Sequence, residues 1–463
     1  MKASRRVISA LGCLLALLAA CAPRNAGFQS LQAELEQRAA LDVRWNSLAS
    51  GALPDTAVRS LLDQPLGADA AVRIALLNNS GLQALFEDLG IARGRLVGAG
   101  LPPNVILEGG AASVGGAGRR DYGFAATADL SRLMFLPLRR GVAAAELDAT
   151  RVRTTGEVLE FAHVVRNAFY DYQAATQLLE LDLTVVETAA AAYDVAERLA
   201  EAGNITPLEL ANEQAFYEEA RNQALVAEAR ALNLREQLNA LMGLTGNDTA
   251  WELAGRLGEP ADTPPDTDTL EDDAVRQSLD LLELEHRYAA AAGHANLARA
   301  EGLVPSLGTG IEIVREGGLR EVGPAFSLEL PLFDRRQGDV AVARAGMRQI
   351  EQRYRDQAVR VRASVRTARN EVLIATRRVE HYRDVLLPLR ERIVGETQLE
   401  YNAMQLGVFQ LILARREQIR TGQEYVLALR DYWRARSTLD QVMAGRLVGV
   451  DSDLGTMVWG LER

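Results

Sequence analysis

Apolar side chains recur at Met347, Ile350, Tyr354, Ala358, Val361, Val365, Ala368, Val372, Ala375, Val379, Tyr382 and Leu386, three and four residues apart in turn, with Arg, Glu and Gln between them. That spacing predicts a long helix with a coiled-coil seam, narrower than the stripe of an ordinary globular helix. Val158, Val165, Ala168, Tyr172 and Leu179 give a looser version earlier in the chain. Other segments alternate with period two. Tyr122, Phe124, Ala126, Ala128 and Leu130 share one face opposite Asp121, Gly123, Ala125, Thr127 and Asp129. Val322, Pro324, Phe326, Leu328 and Leu330 likewise oppose Glu321, Gly323, Ala325, Ser327 and Glu329. Leu307, Thr309, Ile311 and Ile313 repeat the pattern with Glu312 behind them, and the Gly- and Ala-rich stretch 105–114 completes a second pair. Gly115-Gly116-Ala117-Gly118 and Glu316-Gly317-Gly318 read as hairpin turns. Strands of about 9 to 11 residues with one apolar face suit an outer-membrane barrel, although four of them cannot close one. The alternative is a soluble hairpin pair capping a coiled coil.

These patterns occur twice. Ala71-Val72-Arg73 and Ala274-Val275-Arg276, 203 positions apart, each open a helical stretch that leads through a strand pair to Leu-Pro-Leu (136–138; 330–332). A long helix, a lone Gly (Gly203; Gly407) and a return helix follow. Between Leu-Pro-Leu and the Gly lie 64 residues in the first copy and 74 in the second, a leg of roughly 100 Å at about 1.5 Å per residue. The shorter helices (69–100 with 207–242; 270–303 with 409–443) add up to similar lengths. The chain divides accordingly. A signal occupies 1–20 and an N-terminal segment 21–67. The first repeat covers 68–243, with its hairpin at 103–131 and a tip at 202–208. A linker at 244–269 follows, placed near mid-height. The second repeat covers 270–445, with its hairpin at 305–332 and a tip at 406–411, and a tail runs over 446–463.

Composition adds an address. Lys2, Arg5 and Arg6 precede an apolar run from Val7 to Ala20, the layout of a secretory signal and too short to span a bilayer. It ends Leu18-Ala19-Ala20-Cys21. With Cys13 removed alongside the signal, Cys21 is the last cysteine and no disulfide is expected. Lys2 is the sole lysine, so the processed chain carries 48 arginines against 62 carboxylates, a net charge of about −14. This balance argues against a nucleic-acid partner. His163, His286, His294 and His381 lack a second ligand at helical or finger spacing, and no phosphate loop, nucleophile elbow or dinucleotide fingerprint is present. Neither an enzyme, a metal site nor a cofactor is expected.

Taken together, Leu18-Ala19-Ala20-Cys21, the duplicated helices leading to Pro102 and Pro305, the segment Leu330-Pro331-Leu332-Phe333-Asp334 with Gly338 beyond, and the two Gly tips resemble a TolC-type outer membrane efflux factor of the lipoprotein branch. The resemblance spans roughly residues 60–445. It implies a mainly α fold with a β-hairpin pair, in which duplicated long coiled-coil helices form a periplasmic tunnel. Four strands per chain would complete a 12-stranded barrel in a homotrimer in the outer membrane of a Gram-negative bacterium. Covalent lipid on Cys21 would anchor the chain. A periplasmic adaptor protein would meet the tips at Gly203, Asn204, Ile205, Thr206, Gly407, Val408 and Phe409, and an inner-membrane pump would drive small molecules or ions through. The chain departs from the family at Met404, where many relatives carry Tyr, and at Asn79-Ser80, where many carry Asn-Pro. Glu201, Glu209 and Glu213 gather around the first tip, where three chains would focus negative potential on cations or where the carboxylates are simply solvated. Two other readings remain: a lipid-anchored periplasmic coiled-coil scaffold, and an outer-membrane duct for protein secretion.

Overall fold

In the computed structural model, residues 27–45, 55–114, 119–260, 269–316 and 319–448 are described. The signal, Cys21, the two hairpin turns at 115–118 and 317–318, residues 261–268 of the linker and the tail beyond 448 lie outside them. In chain order the elements are α1 (Phe28–Ala39), α2 (Asp55–Leu62), α3 (Ala68–Asn78), α4 (Ser80–Ala99), β1 (Ile106–Val114), β2 (Arg119–Asp129), α5 (Leu130–Met134), α6 (Leu136–Glu201) and α7 (Pro207–Met242). After a 3-10 turn at Gly246–Thr249 come α8 (Leu270–Gln277), α9 (Leu279–Leu303), β3 (Leu307–Glu316), β4 (Leu319–Leu328), α10 (Gln337–His381), a π turn at Tyr382–Leu386, α11 (Leu387–Asn402) and α12 (Val408–Met443). No described helix is long and apolar enough to cross a membrane.

Contacts divide the chain into two units. The first comprises Met1–Leu31, Leu85–Thr154 and Leu279–Ala358, and holds the sheet. Its strands pair antiparallel in the order β1-β2-β3-β4, leaving β1 and β4 as edges. The register aligns the alternating patterns across all four strands. Leu107, Ala126, Ile311 and Pro324 form one row, with Gly109, Phe124, Ile313 and Val322 in the next row on the same face. On the other face Glu108, Ala125, Glu312 and Gly323 align, beside Gly110, Gly123, Val314 and Glu321. Pro324, which cannot donate to a ladder, sits on an edge strand as expected. Strand pattern was expected to reach Leu130 and Leu330, but β2 ends at Asp129 and β4 at Leu328. The reason at the first site is a cap: Asp129 accepts from the Arg132 amide, 3.2 Å away, and starts a helical turn.

The second unit comprises Gln32–Ala84, Thr155–Ser278 and Val359–Arg463. The seam residues Val361, Val365, Ala368, Val372, Ala375 and Val379 are buried there, packed with Val426, Leu429, Tyr432, Leu439 and Val442 of α12. Two helices expected to be continuous are broken. Asn79 (ψ 118°) separates α3 from α4, and Ser278 (ψ 115°) separates α8 from α9. Asn79 caps the new start, its Oδ1 accepting from the Leu82 amide, while its Nδ2 donates to the Leu241 carbonyl. The break falls six residues after Arg73 but two after Arg276, so the Ala-Val-Arg markers are one helical turn out of structural register. At each break the preceding helix end abuts a left-handed glycine that closes a return helix: the Asn78 carbonyl meets Gly243 (φ 67°) and the Gln277 carbonyl meets Gly445 (φ 103°). A third expectation also fails, since the second long helix is interrupted. Pro388 lacks an amide proton and its ring crowds the carbonyl four residues back, and the ladder widens into the π turn just before it.

The linker is tied down at its start. Trp251 Nε1 donates to Asn239 Oδ1 (2.7 Å), Arg235 lies over the indole at 4.5 Å and donates to the Trp251 carbonyl, and Leu253 bridges to Leu66.

Candidate functional site

The first tip follows from where α6 must stop. The Gly203 amide donates to the Ala200 carbonyl and the Asn204 amide to the Leu199 carbonyl, with Gly203 left-handed at φ 73°. These nested bonds form a Schellman closure, which takes Gly at little steric cost. Ile205 follows, and Thr206 then caps α7. Its Oγ1 accepts from the Glu209 amide (3.2 Å) while the Glu209 carboxylate accepts from the Thr206 amide (2.7 Å) and hydroxyl (2.9 Å). This is a capping box with Pro207 in the first turn. The Thr206 bonds hold the Glu209 carboxyl below the usual carboxylate range.

At the second tip the glycine does a different job. Gly407 has φ −76° and ψ 161°, so it does not provide the left-handed residue that its pairing with Gly203 implied; it is the N-cap of α12. Met404 takes that conformation, at φ 59°, with its own amide bonded to the Tyr401 carbonyl and the Gln405 amide to the Glu400 carbonyl. Gly203 therefore corresponds to Met404 and Thr206 to Gly407, three positions from the sequence pairing. Val408 and Phe409 are half-buried in the first turn of α12, whereas Met404 is 94 % exposed.

The three carboxylates around the first tip have three surroundings. Glu201 is exposed at the end of α6, Glu209 is in the capping box, and Glu213 faces Arg416 of α12 at 3.5 Å. Arg416 also stacks on Phe216. Sequence reasoning passed over Arg416, which no motif marks, and Thr206 as a cap, which the Thr-x-x-Glu spacing does mark.

Above this contact α6, α7 and α12 enclose a groove of about 690 Å³ lined by Leu178, Asp182, Phe216, Arg416 and Gln423 among others. Gln423 Nε2 donates to Asp182 at 2.7 Å, and burial raises the Asp182 carboxyl. Further along, His163 is buried between α6 and α12, with Nδ1 2.8 Å from Ser437 Oγ and Nε2 2.9 Å from Asn167 Nδ2. Burial pushes it down to about 4. Among the described residues no group of three or more His, Cys, Asp or Glu is arranged to hold a metal ion.

The sheet supplies the other functional surface. On its apolar face Leu107, Phe124, Ile311, Val322, Phe326 and Leu328 retain between 56 % (Phe124) and 80 % (Leu107) of their surface in the single chain. So large a continuous apolar area needs a lipid or protein cover. The opposite face has acidic and small side chains, the arrangement of a transmembrane barrel strand.

Comparison with known proteins gives the same architecture. Residues 270–445 match the family described as outer membrane efflux protein. The cobalt-zinc-cadmium resistance protein CzcC of Cupriavidus metallidurans is 23 % identical over 406 residues, covering 82 % of this chain and 90 % of that protein. Among solved structures, the Campylobacter jejuni CmeC outer membrane channel superposes with a TM-score of 0.69 at 15 % identity, over 84 % of this chain and 88 % of that one. The open-state Neisseria gonorrhoeae MtrE outer membrane channel gives 0.65 at 16 % identity, over 83 % and 91 %. The second repeat thus matches the outer membrane efflux protein family, and the chain as a whole has the fold of these outer membrane channels.

Proposed function

We propose that the protein is the outer-membrane channel of a tripartite efflux system, a passive duct through which an inner-membrane pump expels its cargo. The observation that carries this reading is the sheet register, which puts Leu107, Phe124, Ile311, Ile313, Val322, Phe326 and Leu328 on one face and the strands' carboxylates on the other. Four strands with two open edges cannot stand in lipid alone, so the barrel requires several chains, and a homotrimer gives 12 strands in the family's manner. The tips are the proposed contact for a periplasmic adaptor, and Cys21 the proposed site of a lipid anchor. A passive duct needs no catalytic site, which fits the match of the second repeat to outer membrane efflux proteins and the fold shared with outer membrane channels. Divalent metal cations are the first cargo to test. The Cupriavidus relative is named for cobalt, zinc and cadmium resistance, and Glu108, Glu312 and Glu321 lie in two adjoining rows of the polar face, where three chains would focus a negative potential.

The test is a heat-modifiable, trimer-sized band in outer-membrane fractions, together with growth of a deletion strain on cobalt, zinc and cadmium. The channel reading fails if the protein fractionates as a monomer released by loss of Cys21, as a lipid-anchored scaffold would. Unchanged metal tolerance removes the cargo assignment alone.

A further inference from the structure

Charge divides between the two faces of the sheet as sharply as apolar character does. The register assigns the six carboxylate positions of the strands, Glu108, Asp121, Asp129, Glu312, Glu316 and Glu321, to the polar face. The apolar face has no acidic position, and its charged positions are Arg120, Arg315 and Arg320. All three lie at the hairpin end of the strands, away from the ends that join α4, α5, α9 and α10. Arg315 and Arg320 are direct cross-strand partners, and Tyr122 continues their row onto β2. Both arginines are exposed. Among the described residues neither meets a carboxylate; Arg315 instead donates to the Tyr122 hydroxyl at 3.2 Å and lies over its ring at 5.6 Å. Like charges directly opposite one another destabilise a strand pair, so this row costs stability unless an anion lies between them.

We infer that this row binds the phosphate groups of a lipid in the outer leaflet of the membrane. The inference rests on the channel reading, which puts the helices in the periplasm and therefore the hairpins at the outer surface. Height supports it. From the Leu307–Leu328 pair to the Arg315–Arg320 pair is eight residues of strand. At about 3.4 Å per residue and a tilt of about 40°, this is about 20 Å along the membrane normal, close to the apolar band of about 25 Å on such barrels. The arginines therefore stand where acyl chains give way to headgroups, and Tyr122 puts an aromatic ring at the same boundary. Guanidinium forks pair bidentately with phosphate, and two on adjacent strands, about 5 Å apart at their Cα atoms, can hold one group between them. A soluble anion or an acidic protein would need no apolar approach. Here the next row on the same face is Phe124, Ile313 and Val322, so a ligand that ends in phosphate and continues as hydrocarbon matches both rows.

The test uses the full-length protein in detergent, with lipid A as the probe, in a form carrying both phosphates and in a form stripped of them. Native mass spectrometry counts the lipid bound, and heat dissociation reports assembly. The phosphorylated form should bind about tenfold more tightly than the stripped one. Arg315→Gln combined with Arg320→Gln should remove most of that preference, whereas Arg315→Lys combined with Arg320→Lys should keep most of it. Equal binding of the two lipid forms overturns the site, as does a glutamine pair that binds like the unmodified protein. Should the glutamine pair fail to assemble, the two lipid forms on the unmodified protein still decide. Full displacement of lipid A by millimolar inorganic phosphate overturns the lipid as occupant in favour of a free-anion site. A normal trimer without phosphate preference overturns this inference and leaves the channel standing, while a protein that is monomeric throughout overturns both.

Discussion

His163 bonds Ser437 and Asn167 in a site from which water is largely excluded, with Arg166 and Arg434 adding positive charge nearby. Burial comes first among the causes that lower it to about 4 from the ordinary histidine value of 6.5. The folded chain thus binds fewer protons here than the unfolded chain. Its stability is unaffected by His163 above about pH 6.5 and declines as pH falls from 6.5 towards 4, by up to about 3 kcal/mol. Thermal unfolding of the detergent-solubilised protein should show a steeper fall between pH 6.5 and 4.5 than His163→Gln; parallel curves would contradict the burial argument. Met404 offers the opposite case, a strained residue on the surface. A left-handed non-glycine costs about 1 to 2 kcal/mol, partly offset by the chain entropy glycine would lose. Met404→Gly should therefore tighten the second tip by about 0.5 kcal/mol, read as roughly twofold slower amide exchange at Gln405. Faster exchange there would refute the assignment of strain. Nothing in the sequence marks Met404 as left-handed, because methionine has no preference for that conformation, while Gly407 three residues later attracts the turn assignment.

At the scale of elements, the two tips share one closure and differ in one cap. Thr206 reciprocates with Glu209, and Gly407 presents no side chain at all. Replacing a Thr N-cap by Ala typically costs about 1 kcal/mol, by Gly only a few tenths. Thr206→Ala should accordingly speed amide exchange across the first turn of α7 about fivefold, whereas Thr206→Gly, which copies the second tip, should change it less than twofold. Equal effects would mean that the capping box does not hold the turn. Long elements were legible for a physical reason: Val361 to Val379 repeat often enough for the heptad to outweigh any one residue, and four strands carry the same alternation. Their interruptions were not. Asn79 and Ser278 break helices whose apolar spacing continues across them, and Pro388 follows a seam that is intact to Leu386. A local hydrogen bond decides the break at Asn79 and a missing amide the one before Pro388, and neither leaves a trace in periodicity.

For the whole chain, the duplication was visible, and its register was not. Ala-Val-Arg and the two lone glycines suggested equivalences that are off by four and three residues, whereas the closures at Gly203 and Met404, the caps at Thr206 and Gly407, and the stops at Gly243 and Gly445 give the true ones. Repeat halves diverge in sequence while keeping backbone geometry, so short matching words drift from the positions they once shared. The site at the tips was half legible for the same reason: its glycines were found, and its strained methionine and its Glu213–Arg416 contact were not. By their helical bounds α7 and α12 are alike in length, 36 residues each, although the stop at Gly445 falls one residue later than the stop at Gly243. One residue added to only one of them would drop its tip by about 1.5 Å and turn every side chain beyond the change by about 100°. The two return helices are therefore a matched pair of pillars. Lengthening one alone would slide its tip past the other and pull Glu213 away from Arg416, so an insertion in one is best matched by an insertion in the other.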